Sequence, residues 1–239
     1  MDLSVVIPAK NEQDNIAPLV SEIELALSTL PLKYEIIYVD DGSTDATAQV
    51  IKELAVLKNT PLKLIRHKYS CGQSTAIYTG VNKAQGKLIV TLDADGQNNP
   101  ADIPAMLNAA SLLPATSDFC IAGYRKQRKD TTWKRFQSRI ANRVRSAILH
   151  DNTPDTGCGL KVFPRATFLK LPYFDHMHRF LPALVRRAGG NVVITEVSHR
   201  DRQFGTSKYT MLGRVGVGIV DMAGVLWLQR RSKSVEILN

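Results

Sequence analysis

The sequence predicts an α/β fold built on a mostly parallel, doubly wound sheet. Two observations carry that prediction. Apolar runs of strand length recur along the chain, each followed by an amphipathic stretch of helical length, and strands that alternate with helices pack as a parallel sheet with helices on its faces. The 239 residues are enough to bury a sizeable core. An apolar fraction of 44%, a charged fraction of 22% and a mean hydropathy of -0.12 exclude a disordered chain and a multi-span membrane protein.

The strands are expected at Leu3 to Ile7, Glu35 to Val39, Leu62 to Arg66, Leu88 to Leu92 and Phe119 to Ala122. Caps mark the helices between them: Ser43 or Thr44 before Asp45 to Leu57, Ser74 near the start of the run to Ala84, and Pro100 with Asp102 before the run to Leu113. The second half changes character. A basic helix is expected from Thr132 to Leu149, a glycine-rich turn at Thr156 to Gly159, a helix from Phe174 to Ala188, and a strand from Val192 to Val197 that rejoins the sheet. The last run, Lys208 to Arg231, has an apolar core, Val215 to Leu228, that is interrupted by Asp221 and is shorter than the roughly 20 residues that span a bilayer.

Charge and cysteine usage narrow the class. The formal net charge is +9, and residues 125 to 145 hold nine Lys/Arg against Asp130 alone, a cluster that suits an anionic partner or a solvated helix face. Three cysteines, Cys71, Cys120 and Cys158, with no CxxC pair, suit a reduced compartment, and structural zinc is not expected from that spacing. The N-terminal residues show no basic leader, so the chain is expected to stay where it is made.

In a doubly wound sheet ligands bind beyond the carboxyl ends of the strands. Those positions here are acidic and polar: Pro8 to Glu12 after the first strand, Asp40 to Asp45 after the second, and Asp93-Ala94-Asp95-Gly96-Gln97 after the fourth. Carboxylates gathered at one site repel unless a cation offsets them; Mg²⁺ or Mn²⁺ is the hard partner such oxygens take, with Gln97 near enough to add a carbonyl oxygen. Such an ion would bridge and neutralise a diphosphate. Neither a Gly-x-Gly-x-x-Gly turn nor a Gly-Lys-Ser/Thr loop is present, which argues against a dinucleotide dehydrogenase and a P-loop kinase. Asp40 and Asp41 either accept hydrogen bonds from a base or ribose, or Asp41 with Ser43 and Asp45 turns the chain and caps a helix.

Taken together, Val5 to Glu12, Val39 to Asp45, Asp93 to Gln97, Ser138 to Asn142, Asp155 to Lys161 and His199 to Tyr209 resemble family 2 of the inverting glycosyltransferases. More narrowly the set is similar to the polyprenyl-phosphate, or dolichyl-phosphate mannose synthase-like, branch. The resemblance implies a GT-A nucleotide-sugar fold with a Rossmann-like sheet: a glycosyltransferase domain over 1 to 207, its halves 1 to 125 for the nucleotide sugar and 126 to 207 for the acceptor, then 208 to 239 as an amphipathic, membrane-interfacial helix. It implies transfer of a hexosyl group from a GDP- or UDP-sugar to a polyprenyl monophosphate. Pro8, Asn11, Glu12, Asp40, Asp41, Asp93, Ala94 and Asp95 would bind the nucleotide sugar. Asp93, Asp95 and Gln97 would hold the metal. Arg125, Lys134, Ser138, Arg202 and Lys208 would surround the acceptor phosphate, with Asp95, Arg125 and Arg202 the catalytic group.

That placement agrees with the charge cluster, since guanidinium groups fork onto phosphate oxygens. An acceptor phosphate is already anionic at neutral pH and needs no strong base, so none of the five histidines is assigned a catalytic part. Asp155 either orients the sugar or acceptor or caps the Gly157 to Gly159 turn; were the acceptor a saccharide hydroxyl, Asp155 would be the first candidate base. The expected setting is the cytoplasmic face of a membrane, met peripherally through Met211 to Leu228, although packing of that helix on the sheet or against a second copy fits the sequence equally. Trp227 favours the membrane. Nucleic acid is not an expected partner, because the acidic strand ends would repel it and aromatics for stacking are few.

Overall fold

The computed structural model describes residues 1–58, 61–126, 143, 145–202, 211–231 and 233. Seven strands form one sheet: β1 (Leu3–Ala9), β2 (Tyr34–Asp40), β3 (Leu62–Arg66), β4 (Leu88–Thr91), β5 (Phe119–Tyr124), β6 (Lys161–Pro164) and β7 (Asn191–Glu196). Their order is β3-β2-β1-β4-β6-β5-β7. All pairings are parallel except the two that β6 makes, with β4 and with β5. The mostly parallel α/β sheet read from the sequence is therefore present, and the Val192 run does rejoin it as an edge strand.

Strand alternation divides the core into two layers. Leu3, Val5 and Ile7 of β1, Ile36 and Tyr38 of β2, Val90 and Leu92 around β4, and Phe119 and Ile121 of β5 face one layer. Val6, Ile37, Val39, Ile89, Cys120 and Ala122 face the other. A period of two along buried strands demands this split. Helix α1 (Gln13–Leu27) covers the first layer with Ile16, Leu19, Val20, Ile23 and Leu27, one face at helical spacing. Helix α2 (Thr47–Leu57) and α4 (Ile103–Ser111) pack on the same side, whereas α3 (Gln73–Lys83) covers the second layer through Ala76, Ile77 and Val81.

Several expectations are corrected. Strand β6 begins at Lys161, the last residue of the Asp155 to Lys161 motif, and was not expected: the four residues Lys161–Pro164 carry little periodicity. The Phe174 to Ala188 helix is broken into a 3₁₀ turn (Met177–Arg179) and a helix (Leu181–Arg187), because Pro182 at its first turn lacks the N–H that would continue a helix from upstream. Asp45, not Ser43 or Thr44, supplies the bonds at the start of α2: its Oδ1 accepts from the Thr47 N–H at 3.0 Å and hydroxyl at 2.6 Å. Ser74 caps nothing; it lies within α3, which begins after Gly72, and its hydroxyl sits 2.7 Å from His178 Nδ1. Most of the Thr132 to Leu149 helix falls outside the described residues, though residues 145–149 are helical.

The C-terminal helix runs Met211–Arg230. Val225 is fully buried in the second layer, with Met222, Leu226 and Leu228 packed beside it. Gln229 donates to the Leu149 carbonyl at 2.9 Å and Arg187 to the Leu228 carbonyl at 2.9 Å. This half thus packs on the domain, while Val217, Ile219, Val220 and Trp227 remain exposed. Among the described residues, no helix is long and apolar enough to cross a membrane.

Candidate active site

The carboxyl ends of β1, β2 and β4 lie side by side, since β1 pairs with β2 on one side and β4 on the other. This is the point where the strand order reverses, the expected ligand crevice of an open α/β sheet. The loops after β1 and β2 are bound together. Asn11, at φ 52°, accepts the Thr44 N–H through Oδ1 at 2.8 Å, while its own N–H donates to Ser43 Oγ at 2.9 Å. The Glu12 N–H donates to Thr47 Oγ1 at 2.8 Å. Pro8 and Ala9 pair in register with Val39 and Asp40.

Asp40 is fully buried; its Oδ1 accepts the Ser43 N–H at 2.9 Å and its Oδ2 pairs with Arg66 Nε at 3.0 Å. Asp41 accepts four donors: the His67 ring at 2.7 Å, the Ser70 hydroxyl at 2.7 Å, the Cys71 N–H at 2.8 Å and the Gly72 N–H at 2.9 Å. Burial raises the Asp41 pKa, but these donors outweigh it and hold the carboxyl below the ordinary range. Asp40 thus braces the turn that follows it through the Ser43 N–H, whereas Asp41 is committed to residues 67 to 72 and not to its own turn.

Asp93 and Asp95 stand at the end of β4. Burial first and Asp95 second push the Asp93 carboxyl up to about 6, against Lys161, Arg125 and the Gln73 amide. Gln73, the first residue of α3, donates to Asp93 Oδ1 at 2.8 Å, and the Asp93 N–H donates to Asn98 Oδ1 at 3.0 Å. Asp95 Oδ1 accepts the Gln97 N–H at 3.1 Å, and its Oδ2 meets Arg202 Nη2 at 2.5 Å. Two repelling carboxylates with hard oxygen donors and a carbonyl-bearing neighbour, Gln97, form a donor set that fits Mg²⁺ or Mn²⁺. Ala94 is buried in the first core layer, so its methyl packs and only its backbone can face the crevice.

The turn before β6 backs this pair. A Cβ on Gly159 would lie 2.3 Å from Asp93 Oδ2, so the carboxylate and that backbone touch. The Gly159 carbonyl accepts the Thr91 hydroxyl at 2.7 Å, and the buried Lys161 ammonium donates to the Cys158 carbonyl. Arg125, at the end of β5, grips Asp155 through both oxygens, Nε to Oδ2 at 2.7 Å and Nη2 to Oδ1 at 2.9 Å. Burial opposes the Arg125 charge, but Asp155 outweighs it and raises the pKa. Asp155 therefore neither caps the glycine turn alone nor stands apart from the basic cluster.

Arg202 reaches Asp95 from an arm that is fastened twice. Arg200 forks onto Glu22 at 2.9 and 2.7 Å and donates to the Asn98 carbonyl at 3.1 Å, and Asn98 and His199 form an antiparallel bridge. Ser198 donates to Asp102 Oδ2 through its N–H and hydroxyl at 2.9 and 2.6 Å. Other members of the basic stretch are also paired: Lys126 with Glu196 at 3.3 Å and Arg145 with the buried Asp151 at 2.6 Å. Lys134, Ser138 and Lys208 lie outside the described residues.

The structure thus gathers Asp93, Asp95, Gln97 and Arg202 at one strand end and Pro8, Asn11, Glu12, Asp40 and Asp41 along the neighbouring two. Sequence reasoning missed Gln73, Asn98, Glu22 and Lys161 as parts of this architecture. Gly159 and Lys161 stood within a quoted motif, but nothing in their spacing showed that they lie against Asp93.

Residues 4–171 match the family described as Glycosyl transferase family 2. The dodecaprenyl-phosphate galacturonate synthase of Rhizobium johnstonii is 34% identical over 233 residues, 96% of this chain and 68% of that protein. The undecaprenyl-phosphate 4-deoxy-4-formamido-L-arabinose transferase of Edwardsiella ictaluri is 31% identical over 211 residues, 88% of this chain and 63% of that protein. This chain therefore spans about two thirds of the length of such relatives. Among solved structures, the mannosyltransferase PcManGT from Pyrobaculum calidifontis, in complex with GDP-Man and Mn²⁺, superposes with a TM-score of 0.69 at 20% identity, over 98% of this chain and 65% of that one. That likeness gives the fold.

Proposed function

The chain belongs to glycosyl transferase family 2, and on that footing we propose that it moves a hexosyl group, with inversion, from a GDP- or UDP-sugar to a polyprenyl monophosphate, undecaprenyl or dolichyl. The observation that carries this reading is the meeting of Asp93 and Asp95 with Arg202 at the end of β4, beside the Arg125–Asp155 pair. Carboxylates suit a cation and guanidinium groups suit phosphates, so one crevice offers complements to both the donor diphosphate and the acceptor head group.

In this reading Asp93 and Asp95, with Gln97, hold Mg²⁺ or Mn²⁺. Bound there, the ion would supply Lewis-acid neutralisation of charge on the departing nucleoside diphosphate. Pro8, Asn11, Glu12, Asp40, Asp41 and the Ala94 backbone line the donor half. Arg202 stands against Asp95 as the cation for the acceptor phosphate, whereas Arg125 is a fixed cation held by Asp155. Lys134, Ser138 and Lys208 complete the acceptor side. The acceptor oxygen attacks as an anion, so the chain's contribution is positioning and charge stabilisation.

A saccharide hydroxyl acceptor would need a carboxylate base. Asp155, its candidate, is committed to Arg125 through both oxygens, which supports the phosphate acceptor instead. Peripheral contact with the cytoplasmic face of a membrane completes the proposal: Val217, Ile219, Val220 and Trp227 offer an exposed apolar face, and Arg230, Arg231 and Lys233 follow it.

The test is transfer itself. Purified protein with Mg²⁺ or Mn²⁺, a panel of GDP- and UDP-sugars and a short-chain polyprenyl phosphate should yield glycolipid and free nucleotide, and a chelator should stop both. Asp95→Asn should abolish turnover with the fold retained by circular dichroism. Chelator-resistant transfer or an active Asp95→Asn would overturn the metal assignment, and nucleotide release only with a saccharide acceptor would overturn the lipid.

A further inference from the structure

At the donor edge of the sheet three ligand types converge that lie far apart in sequence. Asp41 follows β2, His67 follows β3 and Cys71 stands two residues before α3. One ligand atom from each lies within 4.8 Å of the others. The His67 ring is held from both sides, with Nδ1 2.7 Å from Asp41 Oδ1 and Nε2 3.0 Å from Thr79 Oγ1. Asp41 is oriented by the Ser70 hydroxyl and the Cys71 and Gly72 N–H groups. Outer hydrogen bonds of this kind, on the second nitrogen of a histidine and around a carboxylate, are what orient ligands for a metal.

We propose that Asp41, His67 and Cys71 form a second cation site, one for zinc or a similar thiophilic divalent ion. A histidine–carboxylate hydrogen bond accounts for two of the three groups. The Cys71 N–H on Asp41 brings the third group into the same circle, where its thiol is exposed and donates to the Tyr69 carbonyl at 3.4 Å. Sulfur, imidazole nitrogen and carboxylate oxygen together are zinc ligands, whereas Mg²⁺ takes oxygen alone. The chemistry thus separates this site from the all-oxygen set at Asp93 and Asp95.

The geometry is within reach. Tetrahedral zinc ligands stand about 3.2 to 3.7 Å apart, so His67 and Asp41, now 2.7 Å apart, part by roughly half an ångström and the thiol, within 4.8 Å of both, swings in by no more than about 1 Å. The exposed side of Cys71 leaves the fourth position to solvent. An ion there would pin residues 67 to 72, the segment that passes close against Gly42 and leads into Gln73, which grips Asp93.

Binding is read directly on the full chain after chelator treatment and dialysis. Co²⁺ is added as a spectroscopic probe, and Zn²⁺ is titrated against a chromogenic chelator, with wild type, Cys71→Ser, His67→Ala and Asp95→Asn. Wild type should show the sulfur-to-cobalt charge-transfer band. Cys71→Ser should lose it and weaken Zn²⁺ binding at least about tenfold, and His67→Ala should weaken it by about 10- to 100-fold. Asp95→Asn should leave both signals unchanged. No thiolate band in wild type, a band that survives Cys71→Ser, or zinc binding lost in Asp95→Asn would each overturn the proposal. Cys71→Ser is an exposed substitution, so its result stands even if His67→Ala is poorly folded.

Discussion

Replacing Gly159 with alanine would place a methyl carbon 2.3 Å from Asp93 Oδ2, 2.4 Å from its Cγ and 2.6 Å from Oδ1. Ordinary contact begins at 3.4 Å, so the carboxylate and the turn must separate by about 1 Å. Neither side yields freely. Asp93 is held by Gln73 at 2.8 Å and by its own N–H on Asn98, while the Gly159 carbonyl is held by the Thr91 hydroxyl at 2.7 Å. Overpacking of this kind costs about 1 to 3 kcal/mol of stability. A misplacement of about 1 Å in a catalytic constellation costs on the order of 10²-fold in rate, or about 2.7 kcal/mol in transition-state stabilisation. The assay is kcat/KM for metal-dependent glycolipid formation, paired with thermal unfolding. Gly157→Ala is the control, because its Cβ would meet Arg125 Nη2 at 3.2 Å and Asp155 at 3.7 Å and demands a far smaller shift. A Gly159→Ala enzyme that keeps the wild-type rate, or a Gly157→Ala enzyme equally impaired, would refute the reasoning that contact with Asp93 fixes the glycine.

Three further outcomes are expected. Asp155→Ala strands the Arg125 guanidinium in a mostly buried place, which costs about 3 to 5 kcal/mol and lowers Tm by on the order of 10 °C; an unchanged Tm would show that the pair carries no stability. Arg202→Ala should raise KM for the lipid phosphate more than it weakens donor binding measured by calorimetry, and equal losses would move Arg202 to the donor side. Glu35 gives the pH dependence. Burial raises its pKa, but Lys63, the Ser4 hydroxyl and the Gln85 N–H outweigh that and leave it lowered. A lowered folded value means the contribution is complete above the unfolded carboxyl pKa of about 4.3 and is lost as pH falls through the folded value. Glu35→Gln should therefore lose stability at pH 7 and flatten the acid limb of a denaturation series, and an acid limb identical to wild type would rule this source out.

What the sequence determined by itself is what period and punctuation carry. Five strands and the rejoining Val192 run were legible because buried parallel strands must be apolar along their length, and the acidic clusters after them were legible as a site because a doubly wound sheet places ligands at that edge. Strand β6 was not legible, since its pairing with β4 and β5 is antiparallel and nonlocal and its four residues carry no period of their own. The tertiary structure alone decided who meets whom. That Arg202 stands on Asp95, Arg125 on Asp155 and Gln73 on Asp93 depends on strand order and loop path, which bring together residues 20 to 107 positions apart. Asp41, His67 and Cys71 show the same limit: their spacing reads as nothing metal-like, yet the adjacent β2 and β3 ends and the loop before α3 bring one ligand atom of each within 4.8 Å of the others. Composition and order along the chain specify the layers, because burial is a property of single residues repeated at a period. Site chemistry is a property of pairs, and the distance between members of a pair is set only once the sheet has closed around them.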